Sequence, residues 1–156
     1  MRYALPLILW LVFIFLMSTP TASAETTRTA VRSILRTLFP GVDNFLAPDM
    51  IVQIDFLIRK CAHLTEYTIL GILLYRALGW GRSRFDYRVP LITLIFGILY
   101  AASDEFHQSF YPEREASPVD VLIDACGVGW GTLISLWRQC AFLQKRVNSF
   151  PDSEEE

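Results

Sequence analysis

Apolar residues run along this chain in long blocks, with the polar residues gathered at the block ends. Strict alternation, the mark of a half-buried strand, is not the pattern. A run of about 20 apolar residues is the length of helix that crosses a bilayer. Residues 3–24 form the first block, behind Arg2. Its end, Thr21-Ala22-Ser23-Ala24, resembles a small-residue cleavage site. A cleaved signal peptide therefore stands beside a retained first span, the reading favoured by the apolar blocks that follow.

The period changes over residues 26–39. Val31, Ile34, Leu35 and Leu38 share one helical face, Arg28, Arg32 and Arg36 lie on another, and Pro40-Gly41 ends the run. This predicts a basic amphipathic helix lying in the headgroup region. Asp49 caps the next helix, whose membrane part, counted back from the interfacial Trp80, covers 61–80. Residues 89–108 and 118–138 are two further spans, joined through Phe110-Tyr111-Pro112 and opened by Ser117-Pro118. The expected fold is all-α: an integral membrane bundle of about four transmembrane helices plus an outer amphipathic helix. It forms one domain over residues 1–148, and 149–156 is an acidic disordered tail.

Composition agrees with that class. The 156 residues are 53% hydrophobic and only 19% charged, and a net charge of −2 gives no support for nucleic-acid binding. Cys61, Cys126 and Cys140 show no CxxC spacing and read as small packing residues, against a disulfide framework or a thiolate zinc site. Basic residues set the orientation. Arg2, then Arg76, Arg82, Arg84 and Arg88, then Arg138, Lys145 and Arg146 fall on one side of four spans, which the positive-inside rule makes cytoplasmic. Arg28, Arg32, Arg36, Arg59, Lys60 and Arg114 fall on the other, so the bias is moderate. The expected localisation is the inner (cytoplasmic) membrane, multi-pass, with both termini cytoplasmic.

This topology gathers three polar stripes. Arg59, His63 and Glu66 lie at i, i+4 and i+7 of one span. Asp104, His107 and Gln108, with Glu105 beside them, close the next span. Ser117, Asp120 and Asp124 open the last, continued inward by Gly127 and Gly131. At a rise of about 1.5 Å per residue, all three occupy one slab, from the outer headgroups to roughly 10 Å beneath. Ionisable side chains at that depth are costly unless paired or wet, so they are expected to converge inside the bundle, in a site facing outward.

Each group also has a plainer reading. Ser117-Pro118-Val119-Asp120 fits a helix start with an N-cap, a proline at N1 and an acid facing the dipole. Asp124 lies a turn too deep for capping. Gly127 and Gly131 favour close helix packing. Asp104 and Glu105 stand near a helix C-terminus, where the dipole disfavours anions; Arg59, Lys60 and Arg114 are the expected cationic partners. His63 and His107, taken singly, read as hydrogen-bonders ahead of catalysts, and Tyr67 and Tyr111 as packing residues.

The pattern Arg59-Lys60-x-x-His63-x-x-Glu66-Tyr67, then Asp104-Glu105-x-His107-Gln108-x-Phe110-x-Pro112-x-Arg114-x-x-Ser117-x-x-Asp120-Val121-x-x-Asp124-x-x-Gly127-x-x-x-Gly131, resembles the VanZ-like family. The resemblance covers the second to fourth spans. Family members more often carry asparagine at the position of Asp124 and often glycine at that of Glu113. Both departures add negative charge here. The resemblance implies a small polytopic bacterial membrane protein; the name-giving member is linked to low-level resistance to the glycopeptide teicoplanin. It implies no settled reaction.

Two functional readings follow. One is a binder or scaffold for membrane lipids or lipid-linked envelope intermediates. The other is a membrane-embedded hydrolase or transferase on such a lipid, with His107 or His63 as acid or base, oriented by Asp104 or Glu66. In either, Arg59, Lys60, Glu105, Gln108, Arg114, Ser117, Asp120 and Asp124 are candidate binding residues. A proton-linked transporter is disfavoured by the apolar inner halves, residues 69–74 and 89–96. No cofactor motif is evident; a divalent metal among His63, Glu66, Asp104, His107 and Asp120 is an option. Oligomeric state is not legible.

Overall fold

The computed structural model describes residues 3–19, 24–41, 48–79, 85–112 and 117–147. Among them stand α1 (Ala4–Met17), α2 (Ala24–Leu38), α3 (Pro48–Gly79), α4 (Arg88–Gln108) and α5 (Pro118–Val147), with no strand. Segment 149–156, expected as a tail, lies outside the described residues.

Local chemistry sets the boundaries. Pro48 and Pro118 are the first residues of α3 and α5, where a missing N–H removes no helical bond. Asp86 Oδ1 accepts the Arg88 N–H at 3.0 Å at the head of α4. Gly41, at φ 92°, takes the left-handed turn after α2 that a residue without Cβ adopts freely.

α4 and α5 are long and apolar enough to cross a membrane. The 21 residues of α4 rise about 32 Å, close to the roughly 30 Å of a hydrocarbon core. α1, with 14 residues, rises only about 21 Å, so it is shorter than the block expected over 3–24. α3 is one unbroken helix of 32 residues, joining the start at Asp49 to the block 61–80, and its apolar run is interrupted by Lys60, His63, Glu66 and Arg76.

The long helices run up and down. Lys60 meets Asp120, His63 meets Asp124 and Tyr75 meets Gln139, so α3 and α5 are parallel. Tyr3 stands by Arg76, Trp10 by Glu66 and Phe15 by His107, so α1 runs against α3 and alongside α4. The start of α1 and the end of α5 therefore share one end of the bundle, and the polar stripes share the other.

α3 and α5 touch backbone to backbone. A Cβ on Gly127 would stand 2.7 Å from the Leu64 carbonyl oxygen, and one on Gly71 2.6 Å from that of Val128. Gly131 sits as tightly against Thr68, which realises the small-residue packing expected of these glycines. Ile14, Tyr67, Leu70, Leu74, Ala101 and Val128 form the core. Thr93, Thr132 and Ser135 donate to carbonyls one turn back, so their buried hydroxyls are satisfied within their own helices. The outside is apolar instead: Leu99 is 64% exposed, Leu133 58% and Trp137 72%.

Candidate functional site

α3 supplies most of the site. Arg59, His63 and Glu66 rise along one face, and with Ile58 and Ala62 they form one wall of a cavity of about 190 Å³. Asp104 and Gln108, on one face of α4 because they are one turn apart, form the second wall. Ile14 and Met17 of α1, with Ser18 at its C-cap, close it. Gln108 Nε2 donates to Asp104 Oδ2 at 3.1 Å in a buried pair. Tyr67, fully buried, turns its hydroxyl toward Asp104 without reaching ordinary hydrogen-bond geometry. The first two expected stripes thus meet in one pocket.

The third stripe stands behind His63. His63 Nδ1 and Asp124 Oδ1 are 3.2 Å apart, and Asp124 is wholly buried. Lys60 Nζ hydrogen-bonds and ion-pairs with Asp120 Oδ1. Glu105 Oε2 accepts the Ser117 N–H at 3.0 Å, while Ser117 Oγ accepts the Val119 N–H at 3.3 Å. Ser117 therefore caps α5 and anchors Glu105 to it; Asp120 does more than face the dipole, because it neutralises Lys60.

The cations do not go where sequence placed them. Arg59 Nε lies 3.6 Å from Asp55 Oδ2, four residues earlier on its own helix, and Lys60 is taken by Asp120, so neither pairs with Asp104 or Glu105. Arg114 lies outside the described residues. His107 stands apart from the cavity, its ring 4.7 Å from that of Phe15 and 5.3 Å from that of Tyr111. Cys61, Cys126 and Cys140 are free, but they are exposed rather than packed inside; Cys61 and Cys126 line a shallow apolar groove between α3 and α5.

For a metal the geometry selects a set different from the one expected. His63, Glu105 and Asp124 bring one donor atom each to within 4.8 Å of one another. Of the five residues named from sequence, only His63 belongs to it. Sequence reading also passed over Asp55, legible only as an acid at i−4 of Arg59, and the α1 wall, which carries no polar signal. Hydrogen bonds tie α1 in: Trp10 Nε1 donates to the Glu66 carbonyl at 2.9 Å and Tyr100 Oη to the Leu11 carbonyl at 2.7 Å.

The profile of the VanZ/LLP1 family matches residues 3–139, a span that takes in every wall of the cavity and both helices that the motif resemblance left uncovered. No curated protein and no solved structure matches the chain.

Proposed function

Since the chain belongs to the VanZ/LLP1 family, we propose that it is a four-span protein of the inner membrane that holds the headgroup of an envelope lipid or lipid-linked intermediate. The observation that carries this reading is the polar cavity of Arg59, His63, Glu66, Asp104 and Gln108 at one end of a bundle whose outer face is apolar. A pocket with charged walls suits a polar group, and an apolar exterior suits the acyl chains attached to it. α1 and α3 act as spans in company: Arg59, His63 and Glu66 turn to the cavity, and Lys60 and Tyr75 to α5. The basic residues Arg76, Arg88, Arg138 and Lys145 lie toward the opposite end from the cavity, which supports a cytoplasmic side there and an outward-facing cavity. On this reading the chain alters tolerance of teicoplanin through the lipid chemistry of the envelope.

One observation favours a second reading, a hydrolase or transferase on the same lipid. Asp124 beside His63 Nδ1 is the arrangement that fixes an imidazole tautomer and leaves Nε2 for proton transfer. Native mass spectrometry of the purified protein tests the shared premise. Wild type retains an envelope lipid that Asp104→Asn and His63→Ala lose, while Leu99→Ala on the outer surface keeps it. Equal retention in all of them overturns the headgroup reading. A lipid that accumulates in cells carrying His63→Ala, and is converted by purified wild type, decides for the enzyme.

A further inference from the structure

His63 on α3, Glu105 on α4 and Asp124 on α5 point donor atoms at one place, all within 4.8 Å of one another. Both carboxylates are buried, Asp124 at 0% exposure and Glu105 at 6%. Each has one oxygen engaged, by His63 and by the Ser117 amide. Each keeps the other, Asp124 Oδ2 and Glu105 Oε1, buried and without a hydrogen-bond partner.

Protein charge does not answer them. Arg59 is beside Asp55 and Lys60 beside Asp120, and among the described residues no lysine or arginine stands within ion-pair distance of Asp104, Glu105 or Asp124. Two buried carboxylates, with Asp104 nearby, thus face a single imidazole. Buried ionised groups persist when paired or bound to a metal.

We infer that His63, Glu105 and Asp124 form a site for a divalent cation of the zinc or manganese class. One imidazole nitrogen and two carboxylate oxygens are donors for such ions, and no thiolate belongs to the set, since all three cysteines are free and exposed. A cation bound there takes the place of the proton between His63 Nδ1 and Asp124 Oδ1, whose separation of 3.2 Å is close to the ~3.3 Å between neighbouring ligands at about 2.0–2.1 Å in a tetrahedron. Glu105 brings the third donor atom to within 4.8 Å of the other two, and the Ser117 amide, bonded to its Oε2, orients that carboxylate as an outer partner orients a ligand. Three protein donors leave room for water or a phosphate oxygen. His63 also lines the cavity, so the cation stands at its edge and gives an anionic headgroup a partner in an acid-rich pocket. That last step rests on the headgroup reading; the cation site does not.

The test uses full-length protein in nanodiscs, stripped with chelator and titrated with Zn²⁺ and Mn²⁺ by calorimetry, with bound metal counted by elemental analysis. One ion per chain is expected. His63→Ala, Glu105→Gln and Asp124→Asn each weaken binding at least tenfold, whereas replacing Cys61, Cys126 and Cys140 by serine leaves it intact. Absence of stoichiometric binding of either ion, binding undiminished in the three variants, or binding lost with the cysteines overturns the site. If Asp124→Asn does not fold, wild type loaded with Co²⁺ decides: a nitrogen and oxygen ligand spectrum supports the site, and a thiolate charge-transfer band or no bound Co²⁺ refutes it. Metal binding without lipid retention would leave this site standing and remove the headgroup reading.

Discussion

Asp55, at 0% exposure on α3, lies one turn before Arg59, with Arg59 Nε 3.6 Å from its Oδ2. The stripe of Arg59, His63 and Glu66 follows from helical spacing alone, and so does the shared face of Asp104 and Gln108. Choice of partner does not, because it depends on distances between helices. Lys60 crosses to Asp120, Glu105 turns to the Ser117 amide, and His107, three residues after Asp104 and so about 60° round the helix, packs against Phe15 instead. Asp55 sat in an apolar run with no motif, yet it is fully buried beside Arg59. Removing one partner of a buried pair strands the other, at about 3 kcal/mol; the partial exposure of Arg59 places the loss at that lower end. Asp55→Ala is therefore expected to destabilise by about 2–3 kcal/mol, read as a lowered melting transition in detergent. A cycle with Arg59→Gln should show coupling above about 0.5 kcal/mol. A melting shift indistinguishable from wild type would make the contact incidental.

At the scale of elements, helix positions were legible because apolar block length and proline placement report them directly. α2 matches the basic amphipathic segment within two residues, and α4 begins one residue before the expected span. The closeness of α3 to α5 was legible only as a glycine pair; which helix those glycines face was not, since any neighbour can accept a Gly-xxx-Gly surface. Contact with α3 makes a sharp contrast available along α5. Gly131 abuts Thr68 and Gly71, while Gly129, two residues before it, has open space where a Cβ would stand. Gly131→Leu must separate the helices or unfold them, a loss of about 3 kcal/mol or more, at the upper end of overpacking. Gly129→Ala is expected to be neutral or stabilising by up to about 1 kcal/mol, because alanine holds a helix better than glycine. Fluorescence-detected size exclusion after heating separates the two; equal survival would deny the intimate contact that aligns His63 with Asp124.

For the molecule as a whole, the block pattern made legible the two helices long and apolar enough to cross a membrane, α4 and α5, and the spread of arginines pointed to the one end of the bundle that the start of α1 shares with the close of α5. The role of α1 was not legible, because a wall made of Ile14, Met17 and Ser18 carries no signature and its outer side is as apolar as a signal peptide's. The architecture makes the topology testable with two exposed positions. Asp49 opens α3 at the cavity end, Lys145 lies near the close of α5 at the other, and parallel α3 and α5 put nearly the whole bundle between them. In a background with serine at all three cysteine positions, Asp49→Cys is expected to react with a membrane-impermeant maleimide added to intact spheroplasts. Lys145→Cys should react only once the membrane is permeabilised. The reverse order would turn the cavity to the cytoplasm and withdraw the outer-leaflet headgroup, while leaving the helix packing as described. Labelling of both from outside would mean that α3 to α5 do not cross an odd number of times between these positions, contrary to the up-and-down arrangement in which Tyr3 meets Arg76 and Tyr75 meets Gln139.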